Sequence, residues 1–349
     1  MKKVLFATSC LVAFAGAAAA EVAVSGDGRM GMIYDGDDMQ FSSRARAKFT
    51  MTGESDSGLA FGGAFRVDQE SDYTNGTDSG RSAARGTAGH VFVSGSYGKL
   101  SMGDVVSAAE AAIGDLPEIG YTDGEFAGDP EEVDYLTGDG ENEAQGPTAL
   151  YEYTFNGVKL FASMTDGSRR ACDGVVGSLD CDDIADGDPT TDDDGDTDLA
   201  YSLAAAYEMG AYSFGLGYSD DGEASEIVLG GSAAFNEFKF SGFFAKYDDR
   251  YVDEAGDWAL PDGTTYDQAF GLGVEYTMAN GVGLQGIWVR REVDFAEGVV
   301  TDAEDSYDAY GIGASYDLGG GATVAGAIMK NELYAENETR ADFGLKFKF

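Results

Sequence analysis

Residues 41–51 read FSSRARAKFTM, a stretch in which apolar and polar side chains alternate. One side of an extended strand would carry Phe41, Ala45, Ala47, Phe49 and Met51, and the other Ser42, Arg44, Arg46, Lys48 and Thr50. A period of two is typical of a β-strand whose faces meet different surroundings. The same period ends the chain, where Phe343, Leu345, Phe347 and Phe349 alternate with Asp342, Lys346 and Lys348.

About sixteen such segments of roughly ten residues follow one another along the chain. Turn signals separate them, including Asn156-Gly157, Asn280-Gly281 and Gly319-Gly320-Gly321. A soluble β-sandwich also alternates, but its apolar face is mainly aliphatic, whereas here Tyr and Phe cluster at the segment ends. The pattern predicts an all-β fold: a 16-stranded antiparallel transmembrane β-barrel formed as one domain by residues 21–349.

The first twenty residues have the composition of a secretory signal peptide. Met1-Lys2-Lys3 is basic, residues 4–20 are apolar, and the stretch ends in four alanines. The alternative is a membrane anchor, for which the run is short. We expect residues 1–20 to be cleaved and the chain to be exported.

The charge balance excludes some functions. The chain has 22 Lys+Arg against 63 Asp+Glu, a formal charge of −41, so it lacks the basic surface that nucleic-acid binding needs. It contains one histidine, His90, through which any Ser-His-Asp triad would have to run. We therefore expect no enzymatic activity and no required cofactor.

On three adjacent predicted strands, the alternation places five basic side chains on the inner face: Arg29, Arg44, Arg46, Lys48 and Arg66. Facing lipid, each would cost several kcal/mol, so they must face water or acidic partners. We interpret them as a basic patch on the wall of a water-filled lumen. The alternative is that they pair with neighbouring acids and only stiffen the wall.

The longest connection, residues 104–147, carries 13 acids and no base. Connections of this length in a compact domain are functional or disordered. Its apolar residues would let it pack against a surface, and we expect it to fold into the lumen. Glu110, Asp115, Glu118 and Asp123 would then oppose the basic patch, forming a constriction with a transverse field.

A second long connection, residues 166–198, is also acidic and holds Cys172 and Cys181. In an oxidising compartment these two cysteines are expected to form a disulfide; a redox role is the weaker interpretation because the spacing is not Cys-x-x-Cys. Asp192, Asp194, Asp196 and Asp198 form either a calcium site or a diffuse cation-attracting surface. The residues that follow Asp198 do not have the spacing of an EF-hand calcium loop.

Six runs together resemble the general diffusion porins of photosynthetic and marine alphaproteobacteria, the Rhodobacter-type outer-membrane porins. They are SGDGRMGMIYDGDD (25–38), FSSRARAKFTM (41–51), DSGLAFG (56–62), GDLPEIGYTD (114–123), YGIGASYDLGGGA (310–322) and ADFGLKFKF (341–349). The resemblance implies a sixteen-stranded homotrimer in the outer membrane of a Gram-negative bacterium, with the third loop folded inward as an eyelet. It also favours bound calcium, whereas the 166–198 insert matches no motif of the family.

We therefore expect a passive channel for ions and small hydrophilic solutes, embedded in outer-membrane lipid and weakly cation-selective because the chain is so acidic. A substrate-specific channel is the main alternative; it would show aromatic residues along the lumen, and inward aromatics are few. An adhesin or structural anchor requires neither the arginines nor the long loop.

Overall fold

The computed structural model describes residues 21–70, 89–137, 148–165, 199–251, 264–295, 304–334 and 338–349. Within these ranges the chain forms sixteen strands. They are β1 (Glu21–Tyr34), β2 (Met39–Glu54), β3 (Ala60–Glu70), β4 (Gly89–Gly95), β5 (Gly98–Gly103), β6 (Thr148–Phe155), β7 (Val158–Thr165), β8 (Tyr201–Met209), β9 (Tyr212–Asp220), β10 (Ser225–Phe235), β11 (Phe238–Asp248), β12 (Thr265–Thr277), β13 (Val282–Asp294), β14 (Ser306–Gly319), β15 (Ala322–Asn331) and β16 (Thr339–Lys348).

The strands close into one antiparallel barrel, which confirms the predicted fold class. Each strand pairs with its neighbours in sequence, and β1 pairs with both β2 and β16. The Phe349 N–H donates to the Gly26 carbonyl at 2.8 Å, so the last residue of the chain takes part in the closure. A closed barrel leaves no unpaired strand edge.

Side chains on the two faces of the wall differ as the period of two predicts. Outward positions expose large apolar groups, among them Phe41 at 86% exposure and Ile312, whereas the inward-facing Val228 and Val289 are fully buried. Outward aromatic residues gather at the short turns, where Phe238 stacks on Tyr276 at 4.4 Å. This arrangement is an aromatic girdle around an apolar band.

One end of the barrel has only short turns between the strands, and both chain ends of the barrel lie there. Asn156 and Gly157 both have positive φ, as a two-residue type I′ hairpin turn requires. The longest connections, residues 104–147 and 166–198, join strands at the other end, but residues 35–38 and 221–224 are short connections there. In both, an aspartate closes the turn: Asp35 accepts from the Asp38 N–H at 2.8 Å, and Asp221 from the Ala224 N–H at 2.8 Å.

The described part of the long connection, residues 104–137, lies inside the barrel. It contains a short helix, α1 (Ala108–Ile113), and a 3-10 turn at Glu125–Ala127. Its Leu116, Ile119, Tyr121 and Phe126 form a core with inward side chains of the wall. None of the helices in the described ranges is long and apolar enough to cross a membrane.

Glycines on the inner wall make room for this loop. A Cβ atom at Gly217 would lie 2.6 Å from the Ala109 Cβ, and one at Gly344 would lie 2.7 Å from the Tyr121 ring. Loop atoms also crowd inward glycines of β9, β10, β12 and β14, namely Gly215, Gly230, Gly271, Gly273 and Gly311. The loop therefore follows the inner wall from β7 round to β16 and β1.

Replacing Gly217 tests this fit, because its nearest obstacles are loop atoms of Ala109. Gly217→Val should displace α1 and lower stability by about 1–3 kcal/mol, since overpacking strains a close-packed contact. The measurement is the temperature at which the folded barrel in detergent converts to the unfolded band on electrophoresis.

Gly286→Val is the matched control, because a Cβ at that outward position makes an ordinary 3.4 Å contact with Val274. Equal losses in the two variants would contradict the claim that the inward glycine is needed for loop packing.

Candidate functional site

The loop begins with a helix whose N-terminus is tied to the wall. Ser107 caps α1 by accepting from the Glu110 N–H at 3.2 Å. The next free N–H groups, of Ala108 and Ala109, donate to the hydroxyls of Ser163 on β7 at 2.9 Å and Ser202 on β8 at 3.0 Å. These bonds satisfy helix donors that otherwise lack partners and fix where Glu110 stands.

The middle of the loop is held by Asp342, an inward residue of β16. Its carboxylate accepts from the N–H groups of Tyr121 and Thr122 at 2.8 Å each and from the Thr122 hydroxyl at 2.7 Å. Gly120 has φ +85°, and a Cβ there would lie 2.5 Å from the carboxylate. Glycine is therefore required for this close approach.

Arg29 and Arg44, both among the predicted wall bases, bind the loop. Arg29 and Arg44 are only 4% and 8% exposed, and both pair with Glu125, Arg44 at 2.9 Å. Arg29 also donates to the Thr122 carbonyl at 3.0 Å. Buried guanidinium groups need acceptors, and Glu125 with the loop backbone supplies them.

The far end of the described loop is attached to the opposite wall. Arg291 on β13 donates to the Asp134 carboxylate at 2.6 Å, and Arg250 donates to the Asp134 carbonyl. Burial opposes ionisation of Asp134, but the charges of Arg291 and Arg250 outweigh it and hold its pKa below the ordinary value. The Leu136 N–H donates to Glu226 on β10 at 2.9 Å.

The other three predicted bases lie on a more open wall. Arg46 and Arg66 are half-buried and Lys48 is exposed. On the loop, Asp115 and Glu118 are exposed and Asp123 pairs with Lys346 of β16. Although both side chains reach solvent, the protein that surrounds them inside the barrel displaces part of their water, which raises the pKa of Asp115 and of Glu118; the neighbouring Asp123 charge adds to the effect at Glu118.

Open space adjoins α1 on the side of the short turns. A cavity of about 650 Å³ lies against β3 to β7 and is lined by Lys99, Ala111, Glu152, Lys159 and Phe161 among others. Lys99 pairs with Glu152 at 2.9 Å, and Lys159 pairs with Glu208 at 2.7 Å. This part of the lumen is therefore polar and not filled by the loop.

Glu125, Asp134, Lys346 and Asp342 attach the loop to the wall, but no sequence pattern marked them as site residues. The inward parity of Lys346 and Asp342 was visible in the period of the last strand. No local signal distinguishes Glu125 from the other loop acids, because its role depends on where Arg29 and Arg44 lie.

Several predicted features fall outside the described residues. They are the leader at 1–20, the cysteine pair Cys172 and Cys181, and the aspartates Asp192, Asp194, Asp196 and Asp198. In the ranges that are described, no three His, Cys, Asp or Glu side chains are grouped as a metal site would need.

The loop also buries an acidic side chain. Glu131 is 1% exposed, and its carboxyl oxygens have no hydrogen-bond partner among the described residues. Burial and the nearby acids Asp129 and Glu132 raise the pKa of Glu131 to about 9, and burial raises that of Asp129 to about 8. Both are mostly protonated at neutral pH, which lowers the cost of burying them.

Glu125→Gln tests the anchoring of the loop. It removes the charge that two buried arginines share, so stability should fall by about 2–4 kcal/mol. The measurement of this loss is the temperature at which the folded barrel in detergent converts to the unfolded band on electrophoresis. The matched control is Glu208→Gln, whose partner Lys159 is exposed, and we expect a loss below about 1 kcal/mol there. Similar losses in the two variants would contradict a special role for Glu125.

The pH dependence of stability in Glu131→Gln tests whether the buried Glu131 carboxyl is protonated in the folded protein. The carboxyl titrates near 4.5 when unfolded and near 9 when folded, so between these values the folded chain binds the extra proton. The contribution of Glu131 to stability therefore falls as pH rises through this window. The variant should match the wild type near pH 4 and exceed it at pH 8 by on the order of 1–3 kcal/mol in unfolding free energy. Parallel stability curves would contradict the assignment.

Comparison with known proteins agrees with this geometry. A family model for Gram-negative porins matches residues 7–334. The chain is 37% identical to a porin of Rhodobacter capsulatus over 344 residues, covering 94% of this chain and 100% of the relative. It is 26% identical to a porin of Fuscovulum blasticum over 343 residues, with the same coverage of both chains.

Solved structures show the same likeness. A porin refined at 1.8 Å resolution superposes with a TM-score of 0.71 at 34% identity, covering 94% of this chain and 100% of that chain. A variant of the Rh. blastica porin superposes with a TM-score of 0.60 at 20% identity over the same shares, a likeness of fold alone. This chain forms a closed sixteen-stranded barrel with an internal loop and matches known porins over nearly its whole length. It therefore belongs to the Gram-negative porin family: it is a channel protein of the outer membrane and not an enzyme.

Proposed function

We propose that this porin is a weakly cation-selective diffusion channel whose constriction lies between the loop and the wall of β2 and β3. The observation that carries the proposal is the attachment of the loop on several sides, by Asp342, Glu125 and Asp134. Charges on a loop held in this way keep their places while solutes pass.

The two sides of the proposed constriction carry opposite charge. Asp115 and Glu118 stand exposed on the loop, and Lys48, Arg46 and Arg66 lie on the wall. Barrels of about sixteen strands enclose an aqueous channel, so the loop and not the wall limits the width. A field across the channel orients polar solutes and disfavours apolar ones.

Cation preference follows from the total charge. The chain carries −41, and the acids outnumber the bases almost threefold. Fixed negative charge raises the local concentration of cations at the channel mouth, although screening over about 8–10 Å weakens the effect in physiological salt.

We also infer that the channel works as a homotrimer. β4 and β5 have only seven and six residues. At about 3.3 Å per residue β5 extends roughly 20 Å, and less after tilting, whereas the apolar band of a barrel is about 25 Å tall. Exposed Val91 and Met102 on these strands therefore need cover from neighbouring subunits.

Single-channel recording in a planar bilayer tests the proposal. Under a KCl gradient we expect ohmic steps in groups of three and a cation-selective reversal potential. A double variant, Asp115→Asn with Glu118→Gln, should lower the K⁺ to Cl⁻ permeability ratio about two- to fourfold, because it removes two charges at the narrowest point.

Glu223→Gln is the control, since Glu223 is exposed in the 221–224 connection, outside the proposed constriction. An unchanged permeability ratio in the double variant would contradict the contribution of Asp115 and Glu118 to cation selectivity. Absence of conductance from folded wild-type protein would overturn the channel proposal itself.

A further inference from the structure

His90 points into the lumen from β4. Its neighbour Val91 is exposed on the outer face, so the alternation of the strand turns His90 inward. The residues paired with it across the sheet are small, Ala64 on β3 and Gly103 on β5. The imidazole is therefore not covered by a large side chain from either neighbouring strand.

The histidine lies between bases of the inner wall. Lys48 pairs with Arg66 across β2 and β3, one inward step from the row that contains Ala64 and His90. On the other side, the Lys99 ammonium lies 5.5 Å from the centre of the Phe92 ring, which is the next inward residue of β4. Successive inward residues are about 7 Å apart, so His90 fills the interval between these bases.

The charged groups on the elements around His90 are of both signs. The bases are Lys48 of β2, Arg66 of β3 and Lys99 of β5, which pairs with Glu152 of β6 at 2.9 Å; the acids on these elements are Asp68 and Glu70 further along β3 and Asp104 at the start of the loop. Partial burial and the charges of Lys99 and Lys48 oppose protonation of the imidazole, so His90 takes up its proton only in distinctly acidic surroundings. Among the described residues no carboxylate pairs with His90, so its protonation adds one positive charge to the lumen wall.

Among the side chains of this wall, histidine alone changes charge at mildly acidic pH in its ordinary state. The chain has one histidine, so no second imidazole can produce the same effect.

We propose that His90 is a specificity-determining residue of the channel, and that its protonation adds a positive charge to the wall between Lys48 and Lys99 and reduces the preference for cations. The inference rests on the proposed cation-selective diffusion function. In distinctly acidic surroundings the channel would pass anions more readily, without any movement of the loop or the barrel.

Reversal potentials in a KCl gradient at pH 7.5 and pH 5.0 test this. In the wild type the K⁺ to Cl⁻ permeability ratio should fall about threefold on acidification, since one charge is added beside the channel at low screening. In His90→Gln most of that fall should disappear. His90→Lys should lower the ratio at pH 7.5 at least as far as acidification to pH 5.0 lowers it in the wild type.

Loop carboxyl groups are the competing source of a pH effect, because the pKa values of Asp115 and Glu118 are raised. The double variant Asp115→Asn with Glu118→Gln separates the two sources: it lowers the ratio at pH 7.5 but should keep the further fall at pH 5.0. A wild-type pH response in His90→Gln, or no effect of His90→Lys, would overturn the role of His90. Either result leaves conductance intact and is thus distinct from failure of the channel proposal.

Discussion

The rest of the structure depends on backbone hydrogen bonding in a medium that supplies none. In hydrocarbon an unpaired N–H or C=O costs several kcal/mol, so strands cross a membrane only as a closed barrel. Here β1 meets this requirement by pairing on both sides, and the carbonyl of Gly26 accepts from the last residue, Phe349. Closure also fixes the register, and the register decides which residues face the lumen.

The inward-folded loop meets the same requirement without regular structure of its own. Its backbone donors find side-chain acceptors on the wall: Asp342 for Tyr121 and Thr122, Ser163 for Ala108, and Glu226 for Leu136. Glycines at inward positions let the loop approach the wall closely. The loop thus acts as a second inner layer whose position is set by the strands behind it.

The inner-wall charges have two different roles that their residue types do not reveal. Arg29 and Arg44 are buried beneath the loop and paired with Glu125, so they hold the loop. Lys48 remains exposed, and together with Arg46 and Arg66 it faces the passage left open. A buried guanidinium needs an anion beside it, whereas an exposed ammonium is solvated by water and acts on passing ions.

Strand identity, the faces of the strands and the turns were decided by the sequence alone. The period of two is a local property, so it placed Arg44 and Lys48 inward and put turns at Asn156-Gly157 without knowledge of any partner. The basic character of the wall and the acidity of the loop followed directly from residue counts.

Only the tertiary structure decided which charges meet. Arg29 and Glu125 are 96 residues apart in sequence, and Lys346 and Asp123 are 223 apart. Such pairs depend on the register of the closed sheet and on the path of the loop across the inward glycines. The 13 acids of the long connection look alike in sequence, and their surroundings in the barrel make Glu125 an anchor, Glu131 a buried neutral acid and Glu118 an exposed charge.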